Sequence, residues 1–283
     1  VTIIPASSTL TVSNLQSTSH AISKNGAGAL AVNNIRAASL TINAGAVAIL
    51  TDGSASGTSR VGALSIAPPS TLDLTDNDLV VQNGDYAATI ALVAQSRNGG
   101  AWDQPGIISS AARNHATHST TLGVLRGSDY LAVNGNTFGP FTVDANDVLV
   151  KYTYYGDTDF NGVVDFDDYS RTDNGFNNDR TGWMNGDFDA NGIVDFDDYS
   201  LIDQAFNTQS GTLRRAMSYL DGSDRSDEGM NSPVLQLVVD HFQQFGQRYA
   251  TGFLSSVPEP TGVLWLSALA AIASRRSRRN RAR

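Results

Sequence analysis

The chain has 283 residues, no cysteine and a formal net charge of −9. The missing thiols exclude disulfides and thiolate-bound metals, and the acidic balance argues against a nucleic-acid partner, which calls for a basic surface. The length predicts about two domains at roughly 150 residues each, and a hydrophobic fraction of 41% supplies a real core. The chain begins at Val1 with no visible signal peptide, so it reads as a processed product or the C-terminal part of a longer precursor.

Residues 1–82 are rich in Ala, Ser, Thr, Gly and Asn, with apolar residues in alternating pairs: Leu10 and Val12, Leu30 and Val32, Leu40 and Ile42, Leu64 and Ile66, Leu72 and Leu74. Alternation between small polar turns predicts half-buried strands. The steps of 20, 10, 24 and 8 residues between pairs suit short rungs of a β-solenoid, with the edge of an ordinary β-sandwich as the alternative. The stretch Lys24–Val32 (KNGAGALAV) followed by Ser39–Gly45 (SLTINAG) resembles the autotransporter-associated β-strand repeat, which implies a solenoid.

Residues 83–154 read as a mixed, β-rich linking region, with a loop at Asn98-Gly99-Gly100, a helix from about Gly106 to Arg113 and a strand over Val148–Tyr155. Trp102 in GGAWDQPG offers a sugar-stacking face or a packed core side chain. His115 and His118 form an i, i+3 pair, but no carboxylate beside them completes a metal set, and their Ser/Thr-rich flanks predict a loop. His20 and His241 stand alone. No nucleophile elbow, phosphate loop or zinc-protease motif occurs, and residues 1–71 hold a single acidic residue, Asp52. The chain therefore reads as non-catalytic.

Residues 155–208 carry the strongest pattern. From Gly156 to Asn207 there are 13 Asp, no Glu and two Arg. At an offset of 30, residues 156–177 match 186–207 at 15 of 22 positions. Each copy has the form D-x-D-x-N-G-x-x-D-x-x-D: Asp157, Asp159, Asn161, Asp165 and Asp168, then Asp187, Asp189, Asn191, Asp195 and Asp198. Calcium takes about six to eight oxygens, and a twelve-residue loop supplies them from positions 1, 3, 5, 7, 9 and 12. Position 7 gives a backbone carbonyl, here Val163 and Ile193, and position 6 needs glycine for its sharp turn, here Gly162 and Gly192. Without a cation each close carboxylate pair repels by about 1–4 kcal/mol, so two calcium ions are the expected cofactors and their binding energy becomes folding energy. Position 12 is Asp, shorter than the Glu of an EF-hand, and no amphipathic helix precedes either loop. A helix is expected after each, through Phe166, Tyr169 and Phe176 and through Phe196, Tyr199, Ile202 and Phe206.

This doubled loop-then-helix unit resembles the dockerin type I domain over residues 155–208. The resemblance implies calcium-dependent folding and docking onto a cohesin-like partner through the helices and loop positions 10 and 11, here Phe166 and Asp167 with Phe196 and Asp197. Those residues differ from the Ser/Thr pairs of the familiar dockerins, so an intramolecular calcium clamp stands beside docking as a reading.

Residues 209–256 predict helices: one over Leu213–Leu220 stopped by Gly222, and one that opens at Ser232-Pro233 and carries Leu235, Val238, Val239, Phe242, Phe245 and Tyr249 as a packing face. In residues 257–283, Pro258, Glu259 and Pro260 precede an apolar run over Gly262–Ser274 and six arginines from Arg275 to Arg283. This resembles the PEP-CTERM sorting signal, which implies an exosortase-type processing enzyme as partner. Thirteen helical residues rise only about 20 Å against a hydrocarbon core of roughly 30 Å, so the tail is a transient membrane anchor, its arginines inside and residues 1–256 outside.

The expected fold is multi-domain: a mainly β, β-solenoid-like N-terminal region, a small α dockerin-type paired calcium-loop module, a helical segment and a short C-terminal membrane helix. The combination resembles large secreted surface proteins of planctomycete-type bacteria. It implies a non-catalytic, calcium-binding protein of the cell surface or exopolysaccharide, structural, adhesive or docking in role, with a surface polysaccharide as a further partner. The alternatives are a cohesin-docking scaffold component and the C-terminal part of a secreted carbohydrate-active enzyme.

Overall fold

The structure, a computed structural model, describes residues 2, 3, 5, 8–210, 213–223 and 232–256. In chain order its first strands are β1 (Thr2–Ile3), β2 (Thr9–Val12), β3 (Leu15–Asn25), β4 (Ala29–Val32), β5 (Ile35–Ile42), β6 (Ala46–Ile49), β7 (Ser59–Val61), β8 (Leu64–Ile66), β9 (Thr71–Asp73) and β10 (Leu79–Val81). From β2 to β6 the chain alternates between two parallel sheets, one strand in each. β3, β5, β7 and β10 lie side by side in one sheet, with β8 also on β5, while β2, β4, β6 and β9 form the other. The result is a β-solenoid of about four turns followed by helices.

The registers explain the spacing of the apolar pairs. Leu10 lies opposite Leu30, and Leu40 opposite Leu64, so the steps of 20 and 24 residues climb one rung within a sheet. The shorter steps, Leu30 to Leu40 and Leu64 to Leu72, cross from one sheet to the other. Side chains alternate along a strand, so each strand sends its second apolar row inward. Leu30, Val47, Leu72 and Ile107 stack in register as one buried column. Each such side chain stabilises by about 1.5–3 kcal/mol. Among the described residues β2 is the edge strand of its sheet, so Leu10 ends the column and is 40% exposed. At the first turn Lys24 is buried, and its Nζ donates to the carbonyls of Gly26 (2.7 Å) and Ala44 (2.8 Å), tying two successive rungs together.

Residues 83–154 add to both sheets. After α1 (Tyr86–Arg97), β11 (Gly106–Ile108) pairs in parallel with β9. Then come α2 (Ser110–Asn114), β12 (Thr120–Arg126), α3 (Gly127–Val133), a short hairpin of β13 (Thr137–Phe138) and β14 (Phe141–Thr142), and β15 (Val148–Tyr154). β15 runs antiparallel between β10 and β12 and ends the parallel order of its sheet. The helix expected over Gly106–Arg113 is corrected: its first part is strand β11, and Gly106, at φ 132°, is outside helical geometry. Trp102 packs inside the solenoid at 1% exposure, which removes it as a sugar-stacking surface. His115 and His118 lie in the loop between α2 and β12.

Among the described residues five helices follow: α4 (Phe166–Asn177), α5 (Phe196–Ser210), α6 (Leu213–Asp221), α7 (Pro233–Phe245) and α8 (Gln247–Ser256). Leu235, Val238 and Val239 are buried as a packing face, but Gly246 (φ 70°) ends α7, so Tyr249 belongs to α8. A second apolar core runs without a break from Leu125 and Leu149 of the β-region through Phe160, Trp183 and Tyr199 to Val238 and Phe253. Among the described residues no helix is long and apolar enough to cross a membrane. The sorting motif Pro258, Glu259 and Pro260 and the apolar run after it lie outside the described residues.

Candidate metal centre

The first loop leaves β15 directly, and the second follows a short 3-10 turn at Trp183–Asn185. Each ends in a helix, α4 or α5. At position 6, Gly162 and Gly192 stand at φ 90° and 92°, a left-handed conformation that side chains resist. Asn161 and Asn191 accept from the N–H two residues on, at 2.7 and 2.9 Å, which tightens the same turn. Val164 and Val194 are both buried, and Val164 packs into the core, while the position-7 side chains of Val163 and Ile193 are exposed.

Three carboxylates converge in each loop. Oxygens of Asp157, Asp159 and Asp168 lie within 4.8 Å of one another, as do those of Asp187, Asp189 and Asp198. Asp165 and Asp195 stand apart from these clusters and cap the helices: each accepts from the N–H of Asp167 or Asp197 at 2.9 Å. The aspartate at position 12 has a structural reason. One oxygen of Asp168 accepts from the Asp165 N–H (2.9 Å), closing a capping box, and the other accepts from the N–H (2.9 Å) and hydroxyl (2.6 Å) of Thr158. Asp198 repeats this with Asp195 (3.0 Å) and Phe188 (2.7 Å).

These carboxylates lack water to solvate them. Burial, reinforced by their acidic neighbours and opposed by hydrogen bonds, raises Asp157 to about 7, Asp168 to about 6 and Asp198 to about 8, and Asp187 moves upward as well. Asp157 is fully buried. Its Oδ2 accepts from the Thr153 hydroxyl and from the Gly162 N–H (3.1 Å), yet among the described residues its Oδ1 has no partner. Buried acceptors are ordinarily satisfied. A hard divalent cation would satisfy this one and relieve the repulsion, and an all-oxygen donor set suits calcium rather than zinc or copper.

The loops are fastened to what surrounds them. Thr153, which holds Asp157, belongs to β15. Trp183 donates from Nε1 to the Asp157 carbonyl (2.7 Å). A Cβ on Gly123 of β12 would meet the rings of Phe160 and Trp183 at 2.6 Å, so glycine permits that close approach. Beyond the loops the two copies exchange partners. Tyr169 of the first donates to Asp203 of the second, and Tyr199 of the second donates to Asp173 of the first (2.5 Å). Asp203 is fully buried and also accepts from Tyr249 of α8 and pairs with His241 Nδ1 of α7 (2.6 Å). Burial acts to lower the His241 pKa, but the charge and hydrogen bond of Asp203 prevail and raise it. Thr153, Trp183 and His241 carry no local signal in the sequence, and Asp203 is marked only as the repeat of Asp173. Arg171, which touches the first cluster, is marked only as a mismatch in the internal alignment, opposite Leu201.

Comparison with protein-family models, with curated proteins and with solved structures finds no match for this chain.

Proposed function

We propose that this chain is a non-catalytic, calcium-binding protein of the cell surface in which two calcium loops clamp the solenoid to the C-terminal helices. The observation that carries this reading is the position of the loops within one continuous core. The first loop hangs on β15 through Thr153, and α5 is covered by α6, α7 and α8 and joined to α7 and α8 at Asp203. Asp157, Asp159 and Asp168 would hold one ion and Asp187, Asp189 and Asp198 the other, with Asn161, Asn191 and the carbonyls of Val163 and Ile193 completing each set. Bound calcium supplies the positive charge; the chain's own residues supply a fixed loop that transmits the ordering to both neighbours.

Docking onto a cohesin-like partner is the second reading. It is favoured by Phe166, 82% exposed at position 10 of the first loop. Against a symmetric docking surface stands the burial of α5, whose Ser200, Leu201 and Gln204 are covered as well as its apolar face. The sorting tail extends the proposal to envelope location through an exosortase-type enzyme.

The test is thermal melting of the full chain with calcium and with chelator. Two sites, each saturated at about 100 times its Kd, add about 5 kcal/mol, which raises the melting temperature by roughly 10 °C or more. Identical melting curves would sink the clamp and the docking reading together.

A further inference from the structure

We infer that Arg171 is an internal cation of the first loop and makes the two calcium sites unequal, the first binding more weakly and filling after the second. This rests on the calcium reading of the loops. The two copies match through most of the motif, but position 171 is arginine where position 201 is leucine. Arg171 Nη1 lies 3.0 Å from the Thr158 hydroxyl, 3.3 Å from Asp159 Oδ2 and 3.5 Å from Asp168 Oδ1. It therefore contacts two of the three carboxylates that converge on the first site. Leu201 is buried and brings no charge to the second. Arg97 acts on Asp189, Asp197 and Asp198 of the second loop only through space: its Nε donates to the Tyr155 hydroxyl (2.8 Å) and its guanidinium lies over the Tyr155 ring.

Two consequences follow from this difference. An incoming calcium ion at the first site meets a positive charge already seated against Asp159 and Asp168, and like charges at that range repel. The ion must push the guanidinium aside or tolerate it, and the Arg171 side chain, 25% exposed, has solvent to withdraw into. Before calcium arrives, the same guanidinium holds the carboxylates together, so the first loop stays formed when the second is loosened by its own repulsion. Arg171 does not complete the site, because it leaves Asp157 Oδ1, deep in the loop, without a partner. The first loop is thus partly neutralised and still able to take an ion.

The experiment is calorimetric calcium titration of the full chain, stripped by chelator, as wild type and as Arg171→Leu, which copies the residue of the second loop. Wild type is expected to show two affinities at least about tenfold apart, and the variant to tighten the weaker one until the two nearly coincide. Asp187→Ala, which disables the second loop, is expected to retain the weaker affinity, assigning it to the first. Melting supplies a separate readout: Arg171→Leu lowers the melting temperature without calcium and does not lower it at saturation. Arg171→Lys keeps the gap, and Arg171→Gln replaces the leucine variant if that one does not fold without calcium. Equal affinities in wild type, or a gap unchanged by Arg171→Leu, overturn the proposal while leaving the clamp intact. Absence of calcium binding in every protein overturns the clamp and this proposal with it.

Discussion

The solenoid and the paired-loop module solve the same problem, burying a chain around a centre, with opposite materials. The solenoid stacks Leu30, Val47, Leu72 and Ile107 in register, and residues 1–71 contain one acidic side chain. The module buries Asp157, Asp168, Asp187, Asp198 and Asp203 and relies on hydrogen bonds and opposite charge to keep them there. A column of aliphatic groups gains stability with each rung, whatever the ionic conditions. A buried carboxylate costs stability until something neutralises it. On the calcium reading proposed above, the same polypeptide holds a region indifferent to ions beside one governed by them.

Removing calcium is the hardest blow to that contrast. Chelation should cost about 5 kcal/mol and, by hydrogen exchange, should release protection most in α5 and the helices after it, and less in α4, while β4, β6 and β9 stay protected. Equal loss in both regions would erase the distinction. The effect depends on pH with a definite sign. Carboxylates raised to about 6–8 bind more protons folded than unfolded, so the calcium-free protein loses stability as pH rises from about 4 to 8. The gain from calcium is therefore larger at pH 8 than at pH 5, measurable by melting at each.

Leu72→Ala comes next. It opens the solenoid column and should cost about 2–5 kcal/mol by urea denaturation, equally with calcium and with chelator. A calcium-dependent cost would mean the two regions share one fate. Asp203→Asn should cost about 1–3 kcal/mol, because a neutral amide replaces the acceptor of three donors. It should also lower the His241 pKa, as burial then meets only the weaker pull of Asp173 and Asp240, and a ring titration by NMR reads this directly. Phe166→Ala is the smallest, within about 0.5 kcal/mol, since an exposed ring adds little packing. If it abolished capture of an envelope protein while leaving stability alone, docking would gain over the clamp.

The sequence makes the solenoid legible because its signal is local and repeated: each Leu-x-Val pair states its own strand, and the register only stacks them. The helix α1 escaped that reading because YAATIALVAQSR buries small residues, Thr89, Val93 and Ser96, rather than a broad aliphatic stripe. Ile107-Ile108 misled for a related reason, since a short apolar run fits strand or helix alike. In the loops Asp165 and Asp195 stand apart as caps, while the convergence of Asp157, Asp159 and Asp168, and of Asp187, Asp189 and Asp198, is readable from the spacing. The supports are not, because Thr153, Trp183 and His241 reach the site across turns that no local pattern announces.

The exchange of partners between Tyr169 and Asp203, and between Tyr199 and Asp173, sets an order in time. A chain emerging from its N-terminus can lay down the solenoid rung by rung, each turn resting on the one already made. The paired module has no such liberty. The hydroxyl of its first copy waits for an acceptor 34 residues downstream, and that acceptor in turn waits for donors at 241 and 249. Half a module is not a smaller module: Asp203 has its full set of donors only once the chain extends past residue 249.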